Sequence, residues 1–309
     1  MKHPTAAMSR GAWLYVFVFS CLFLLNSCVT TQSASKIFER DLFVGSLEAE
    51  KQFGNFADAQ SLSIDAFGNI YVVDRGSPGV YKFNPQGDSL RSVVGFGKDH
   101  DQFDGPGDID ASLTNSVVVA DRNNNRLEIF SKDLLWQASI SGRNVGSKIQ
   151  FGYPLEAKAG QSGNYFLLDG ENKRALSVQP ATGTQQVITI SGAESGAGLN
   201  PVSLALEENE FIVLADANSR SLLLFNNALL LRAGVPFMHA PRSSVFSDGN
   251  MIYALEKDAG VIRIFDGSDL FYQGSISLPE KVNPVAAVRV YKGVWFILTK
   301  KNVIRCEMN

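Results

Sequence analysis

The chain has 309 residues, 45% of them hydrophobic, and its 28 basic and 31 acidic residues give a net charge of −3. Such a charge gives no overall attraction to nucleic acid, so we do not expect a nucleic-acid partner. Three cysteines are too few for a disulfide framework, and a body of this length can bury a core without one.

The first 27 residues are typical of an export signal. Lys2 and Arg10 precede the apolar run 13–25, which is shorter than the roughly 20 residues that a membrane-spanning helix needs. Leu25-Asn26-Ser27-Cys28 resembles the lipobox of bacterial lipoproteins. That resemblance implies cleavage after residue 27 and lipidation of Cys28.

Two other interpretations of the N-terminus rank lower. Cleavage at Cys21 would leave a hydrophobic stub, because that residue lies inside the apolar run. An uncleaved membrane helix is disfavoured by the length of the run. We therefore expect residues 28–36 to be a short lipidated tether that holds the protein on a membrane of the bacterial cell envelope. By resemblance to enterobacterial sorting signals, Val29 favours the outer membrane.

A register of short apolar runs repeats through residues 37–309. Each run reaches a polar residue, and these anchors are Asp74, Asp121, Asp169, Asp216, Glu256 and Thr299. They lie 47, 48, 47, 40 and 43 residues apart, and such a period built from short strands is typical of a β-propeller with one sheet per repeat. No amphipathic helix of convincing length appears. The prediction is therefore an all-β, six-bladed β-propeller.

The ends of the body indicate how the propeller closes. The first full unit has four short apolar runs between residues 61 and 94, separated by polar or glycine-containing turns. The last unit has three runs between 285 and 308 and then the chain ends. The segment 40–47 occupies the place of an outer strand before the first unit. We predict that this N-terminal strand completes the C-terminal sheet, so that closure of the ring removes the exposed sheet edges.

The residue pattern of the first two units resembles the NHL repeat. The segments 67–75 and 119–130 follow its pattern of a glycine-asparagine turn, a strand ending in Asp, a polar turn and a strand ending in Phe. The likeness weakens in the last two units, where Glu256 and Thr299 replace Asp. The resemblance implies the fold more strongly than an activity, because NHL propellers include protein-binding modules, RNA-binding modules and a few related lyases and lactonases.

The loops between the second and third strands are rich in basic residues. If these loops share one face, they form a basic rim around the channel, whose candidate ligand-binding residues are Arg75, Arg122, Arg126, Arg174, Arg220 and Lys257. Such a rim suits an envelope protein, a carboxylate-bearing peptide or an anionic glycan. The alternative is that these residues are solvated turn residues paired with nearby carboxylates.

Two sets of acidic residues are candidate metal ligands. The strand-ending aspartates are better explained as caps of the turns that follow them. In the stretch 99–110, the carboxylates of Asp99, Asp101, Asp104 and Asp108 could hold calcium or another divalent cation, although their spacing is one residue off the usual loop. Otherwise we expect no cofactor.

The sequence offers few candidate residues for an enzymatic site. His100 and His239 lie in different units and cannot form a three-histidine zinc centre. A lactonase-like centre would use Asp58, Asn200 and Asn283, which precede inner strands but are equally typical of turns. The sequence therefore favours a membrane-anchored binding or scaffold propeller over a metal-dependent lactonase or lyase-like hydrolase that uses the central channel.

Overall fold

The computed structural model describes residues 43–113, 115–143, 148–189, 198–207, 209–236, 243–280, 282 and 284–309. In these ranges the chain is all β and contains no helix, so no helix there is long and apolar enough to cross a membrane. The predicted signal peptide 1–27, the lipidation site Cys28 and the tether 28–36 lie outside the described residues.

Four consecutive segments each form a four-stranded antiparallel sheet with strands in chain order. The first sheet comprises β2 (Ala59–Ile64), β3 (Ile70–Asp74), β4 (Gly79–Phe83) and β5 (Ser89–Val94). The second comprises β6 (Pro106–Asp110), β7 (Val117–Asp121), β8 (Arg126–Phe130) and β9 (Trp136–Ser141). The third comprises β10 (Pro154–Ala159), β11 (Tyr165–Asp169), β12 (Arg174–Gln179) and β13 (Thr184–Ile188). The fourth comprises β14 (Pro201–Leu206), β15 (Ile212–Asp216), β16 (Ser221–Phe225) and β17 (Leu231–Pro236).

The remaining strands form one eight-stranded sheet in the order β18-β19-β20-β21-β1-β24-β23-β22. One half comprises β18 (Ser243–Asp248), β19 (Met251–Glu256), β20 (Val261–Asp266) and β21 (Tyr272–Ser277). The other half comprises β22 (Val285–Tyr291), β23 (Val294–Thr299), β24 (Val303–Met308) and the N-terminal strand β1 (Phe43–Phe53).

Strand β1 joins the two halves of this sheet. Its residues 43–46 run parallel to β21, and its residues 47–53 run antiparallel to β24. An N-terminal strand thus completes the C-terminal sheet, as predicted, but it extends beyond the predicted segment 40–47. Only Leu47 and Phe53 of the part that pairs with β24 are buried. The polar residues between them face solvent on an outer strand, which hides the strand signal in the sequence.

The first strands of successive sheets contact one another in a closed ring, which runs β2, β6, β10, β14, β18, β22 and back to β2. The core lies between neighbouring sheets. For example, Val73 of β3 and Val119 of β7 belong to one buried cluster together with Phe130. The second strands of the first two sheets are rich in β-branched residues and wholly buried, which suits a strand packed on both faces.

The aspartates that end the second strands bind backbone amides on two loops. Asp74 accepts hydrogen bonds from Gly76 N at 2.9 Å, in its own turn, and from Ala57 N at 2.8 Å and Asp58 N at 2.7 Å, in the loop before β2. Asp216 likewise accepts from Ser219 N and from Asn200 N. At Asp74 and Asp216 the predicted turn caps are confirmed, and each of these two carboxylates also fastens the loop that enters its sheet.

Candidate functional site: a charged channel

The ring of first strands encloses cavities along its axis. The first, the Arg122 cavity, has a volume of about 400 Å³ and lies where the first strands begin. The second, the Asp110 cavity, measures about 370 Å³ and lies where they end. Loops between second and third strands reach the Arg122 cavity and contribute Arg122 and Lys257. These two residues belong to the predicted basic rim, which therefore lies on this side of the channel.

A buried ion pair lies between the two cavities. Lys158 Nζ is 2.6 Å from Asp108 Oδ2, and both residues are almost inaccessible to solvent. Asp108 also accepts hydrogen bonds from Ser61 Oγ at 2.7 Å and from Ala157 N at 3.0 Å. Burial acts to raise the pKa of Asp108, but the charge and the hydrogen bonds of Lys158 and Ser61 outweigh it and lower the pKa. Asp108 is thus ionised and its charge is neutralised by Lys158.

Glu156 lies beside this pair and lines the Arg122 cavity. It accepts hydrogen bonds from Ser203 Oγ at 3.0 Å and from Leu204 N at 2.7 Å. Burial raises the pKa of Glu156, and the nearby charge of Asp108 raises it further. Burial and the neighbouring charge of Asp108 thus both favour the protonated form of Glu156.

Arg289 of β22 lines both cavities. Its Nη1 donates to Val288 O at 2.7 Å, and its guanidinium lies 5.1 Å from the ring centre of Phe246. Burial lowers the pKa of Arg289, against the opposing charges of Asp108 and Glu156. Within the described ranges, Arg289 forms no ion pair. A guanidinium has five N–H donors, so most of them are available to a molecule in the channel.

Arg122 lies across the mouth of the Arg122 cavity, directly against Gly107. A Cβ added at Gly107 would be 1.9 Å from Arg122 Nε, so only glycine leaves room for the guanidinium here. Arg122 Nη2 makes two long hydrogen bonds, at 3.4 Å to Gly107 O and at 3.3 Å to Leu155 O. The buried Arg122 Nε has no hydrogen-bond partner among the described residues. A buried donor left unpaired is costly, which points to an acceptor that binds at this position.

Lys257 connects the Arg122 cavity to a third one. This Arg75 cavity, of about 210 Å³, is lined by Arg75, Lys300 and Lys257. Burial lowers the pKa of Lys257, while the charge of Glu156 acts to raise it. In contrast to Arg75, Lys257 makes no ion pair with any described residue. Its ammonium is therefore, after Arg289 and Arg122, a third cation of the Arg122 cavity that has no ion-pair partner among the described residues.

The remaining predicted rim residues have partners or lie elsewhere. Arg126 pairs with Asp121 and Glu128 and is almost fully buried. Arg174 pairs with Asp169 at 2.9 Å. Arg220 has a left-handed backbone conformation at its turn and is not among the described residues that line the three cavities. The alternative of turn residues paired with carboxylates thus describes Arg75, Arg126 and Arg174, but not Arg122 or Lys257.

The acidic stretch 99–110 does not converge on one point. Asp99 and Asp101 are exposed, Asp104 accepts a hydrogen bond from Asn123 at 2.7 Å, and Asp108 pairs with Lys158 in the channel. Across the described part of the chain, no three His, Cys, Asp or Glu side chains form a group suited to a metal ion. The rings of His100 and Trp136 stack with their centres 3.8 Å apart.

Two members of the lactonase-like trio have partners of their own. Asp58 pairs with Arg75 at 2.5 Å and with Lys300 at 3.3 Å. Asn200 donates its backbone N–H to Asp216, as a turn residue does. Asn283 lies outside the described residues.

Sequence reasoning missed the charges inside the channel. Arg289, Lys158 and Glu156 lie within first strands, whereas the predicted ligand-binding residues lie in loops. The available signal was a charged residue inside an apolar strand, as in Val285–Tyr291, where Arg289 interrupts a run of alanine and valine. Charged residues are rarely buried unless they are paired or functional.

Comparisons with known proteins place the fold. No protein-family model matches the sequence, and no curated protein matches it. Among solved structures, the chain is similar to virginiamycin B lyase from Staphylococcus aureus, with a TM-score of 0.59 and 10% identity over 85% of this chain and 100% of that one. It is also similar to a gluconolactonase from Xanthomonas campestris, with a TM-score of 0.60 and 11% identity over 83% and 88% of the two chains.

A third similar structure comes from a binding assembly. The chain aligns with a chain of the nidogen/laminin complex, with a TM-score of 0.53 and 15% identity over 73% of this chain and 82% of that one. These structures are propellers, and at such identities the likeness establishes the fold alone. The chain is a β-propeller.

Proposed function

We propose that this protein is a six-bladed, NHL-like propeller, anchored to a bacterial envelope membrane through Cys28, that binds the carboxylate group of a ligand in its channel. The observation that carries the proposal is the set of three cations around the Arg122 cavity, namely Arg122, Lys257 and Arg289. None of the three forms an ion pair with a described residue. Each pays the cost of partial burial, which an anionic ligand would offset.

The charges of the cavity add up in favour of an anion. Asp108 is neutralised by Lys158, and the pKa of Glu156 is raised by burial. Arg122, Lys257 and Arg289 remain as positive charges that no described carboxylate contacts. Guanidinium groups suit this role because they bind carboxylates through two parallel hydrogen bonds.

The proposed anchor would keep this binding site at a membrane surface. The residues between the tether and Phe43 are few, so the propeller body would remain close to the bilayer. The N-terminal strand β1 pairs with both halves of the eight-stranded sheet, so the proposed tether would lead into this sheet. Capture of an anionic peptide or glycan in the envelope is a role that fits this placement.

The test compares small carboxylates with their methyl esters. Acetyl-alanine and galacturonate, each at millimolar concentration, should raise the melting temperature of the purified protein, whereas the uncharged esters should not. Arg289→Gln and Arg122→Gln should abolish the effect. Arg220→Gln, which removes a rim cation that does not line the cavity, is the matched control and should retain it. Equal stabilisation by acid and ester, or no stabilisation by either, would overturn the proposal.

The alternative is a metal-dependent lactonase or lyase that acts in the channel. It is favoured by the fold likeness to virginiamycin B lyase and to gluconolactonase. Metal analysis of the purified protein before and after chelation separates the two candidates. A stoichiometric divalent ion, together with turnover of a lactone that chelation abolishes, would establish the alternative.

A further inference from the structure

The Arg122 cavity continues into the Arg75 cavity. Gln60, Lys257 and Ala286 line both cavities, and the second adds Arg75 and Lys300. Basic residues therefore extend from the channel axis to the outer rim along one side, with Lys257 between the two ends. A ligand with a single carboxylate would use only one end of this arrangement.

The rim end holds an excess of positive charge. Arg75 Nη2 is 2.5 Å and Lys300 Nζ is 3.3 Å from the carboxylate of Asp58, so two cations share one anion. Burial acts to raise the pKa of Asp58, but the hydrogen bonds and charges of Arg75 and Lys300 lower it. Asp58 is therefore ionised, and one net positive charge remains for a second anionic group.

The surface between the two ends is polar and has small side chains. Besides the charged groups, the Arg122 cavity is lined by Gln60, Ser61 and Ser244, and the apolar residues in its described lining are valine and alanine. The described lining of both cavities includes no aromatic or large aliphatic side chain. Hydroxyl groups of a ligand find hydrogen-bond partners here, whereas an apolar peptide side chain finds no pocket.

We infer that the ligand is an acidic oligosaccharide that carries carboxylates on successive sugar units. One carboxylate binds at Arg122 and Arg289, and the next binds between Arg75 and Lys300. This inference rests on the proposed function, since it extends the same site by a second anionic subsite. Asp58 is the competing anion of that subsite.

The test uses galacturonate, digalacturonate and fully methyl-esterified digalacturonate, titrated calorimetrically into the purified full-length protein. Digalacturonate should bind about tenfold or more tightly than galacturonate, because a second charge-assisted contact is worth at least that factor. The ester should not bind. Arg75→Gln should remove the advantage of digalacturonate and leave the affinity for galacturonate unchanged. Asp58→Asn should do the opposite and tighten digalacturonate binding, because it removes the competing carboxylate.

The outcomes separate the two proposals. Equal affinity for galacturonate and digalacturonate, or Arg75→Gln and Asp58→Asn variants that match the wild type, would overturn the second subsite and leave the first intact. If neither uronate binds while acetyl-alanine still stabilises the protein through Arg289, the oligosaccharide is wrong and the carboxylate site stands. If binding of both uronates survives Arg289→Gln, the proposed function itself is wrong.

Discussion

Replacing Lys158 by methionine tests the buried ion pair that divides the channel. The change keeps much of the side-chain volume but leaves Asp108 ionised, with hydrogen bonds from Ser61 Oγ at 2.7 Å and Ala157 N at 3.0 Å as its remaining direct contacts. Removing one partner of a buried pair costs about 3–5 kcal/mol of unfolding free energy. Because two hydrogen bonds remain, we expect the lower end, about 3 kcal/mol. The melting temperature should fall by roughly 6–12 °C.

The double variant Lys158→Met/Asp108→Asn separates the charge from the packing. It removes both charges, so the penalty for an uncompensated carboxylate disappears. We expect it to be more stable than Lys158→Met by about 1–2 kcal/mol, and we expect the four-protein cycle to give a coupling energy of at least about 1 kcal/mol. Urea unfolding followed by circular dichroism measures each free energy. Additive effects within about 0.5 kcal/mol would refute the reasoning, because they would mean that the two side chains do not interact.

The pH dependence of the same cycle follows from the two pKa shifts. Burial acts to lower the pKa of Lys158, but the charges of Asp108, Glu156 and Asp110 outweigh it and raise the pKa. The stability from Lys158 is thus complete below its ordinary value of 10.5 and is lost as the pH rises through its higher folded value. Asp108 has a lowered pKa, so its contribution is complete above 3.8 and is lost on further acidification. The stability difference between wild type and Lys158→Met/Asp108→Asn, in which neither group titrates, should therefore be constant from about pH 5 to pH 9.

Three further predictions concern single residues outside the cavities. Burial lowers the pKa of Lys132 to about 8, so above that pH the unfolded chain binds more protons than the folded protein. The melting temperature of the wild type relative to Lys132→Gln should therefore rise between pH 8 and 10.5. A difference that does not change with pH would contradict this prediction. Asp74→Ala removes the acceptor of three backbone N–H groups and should lower the free energy of unfolding, measured in urea, by about 3 kcal/mol. A loss under about 0.5 kcal/mol would contradict the conclusion that Asp74 holds two loops together. Burial raises the pKa of Cys306 to about 11. In a variant whose other cysteines are replaced by serine, this thiol should react with a disulfide reagent at pH 8 only after unfolding. Rapid reaction of the folded protein would contradict this, because it would show that the thiol is accessible.

The sequence predicts the architecture better than the site because the two depend on different signals. The period of the apolar runs is set by the buried second strands, such as Val117–Asp121, and these dominate both the sequence pattern and the core. The bounds of β1 are harder to predict, since its residues 48–52, all polar except Ala49, face solvent. A strand without an apolar face leaves little trace in the sequence.

The site escaped sequence reasoning because it depends on contacts between residues far apart in the chain. Lys158 and Asp108 are 50 residues apart, and nothing local marks them as partners. Arg122 and Arg126 look alike in the sequence, yet Arg126 is fixed by two carboxylates, whereas Arg122 lies against Gly107 and pairs with no described carboxylate. Only the closure of the ring decides which basic residues are paired and which face the cavity.

The most direct test of the account is a crystal structure of the protein soaked with galacturonate. The proposed function predicts that its carboxylate lies in the Arg122 cavity, within hydrogen-bond distance of Arg289 and Arg122, and that Arg122 Nε gains an acceptor. An empty cavity after separate soaks with saturating galacturonate and acetyl-alanine, or both ligands bound only outside the channel, would contradict the claim that the channel recognises a carboxylate.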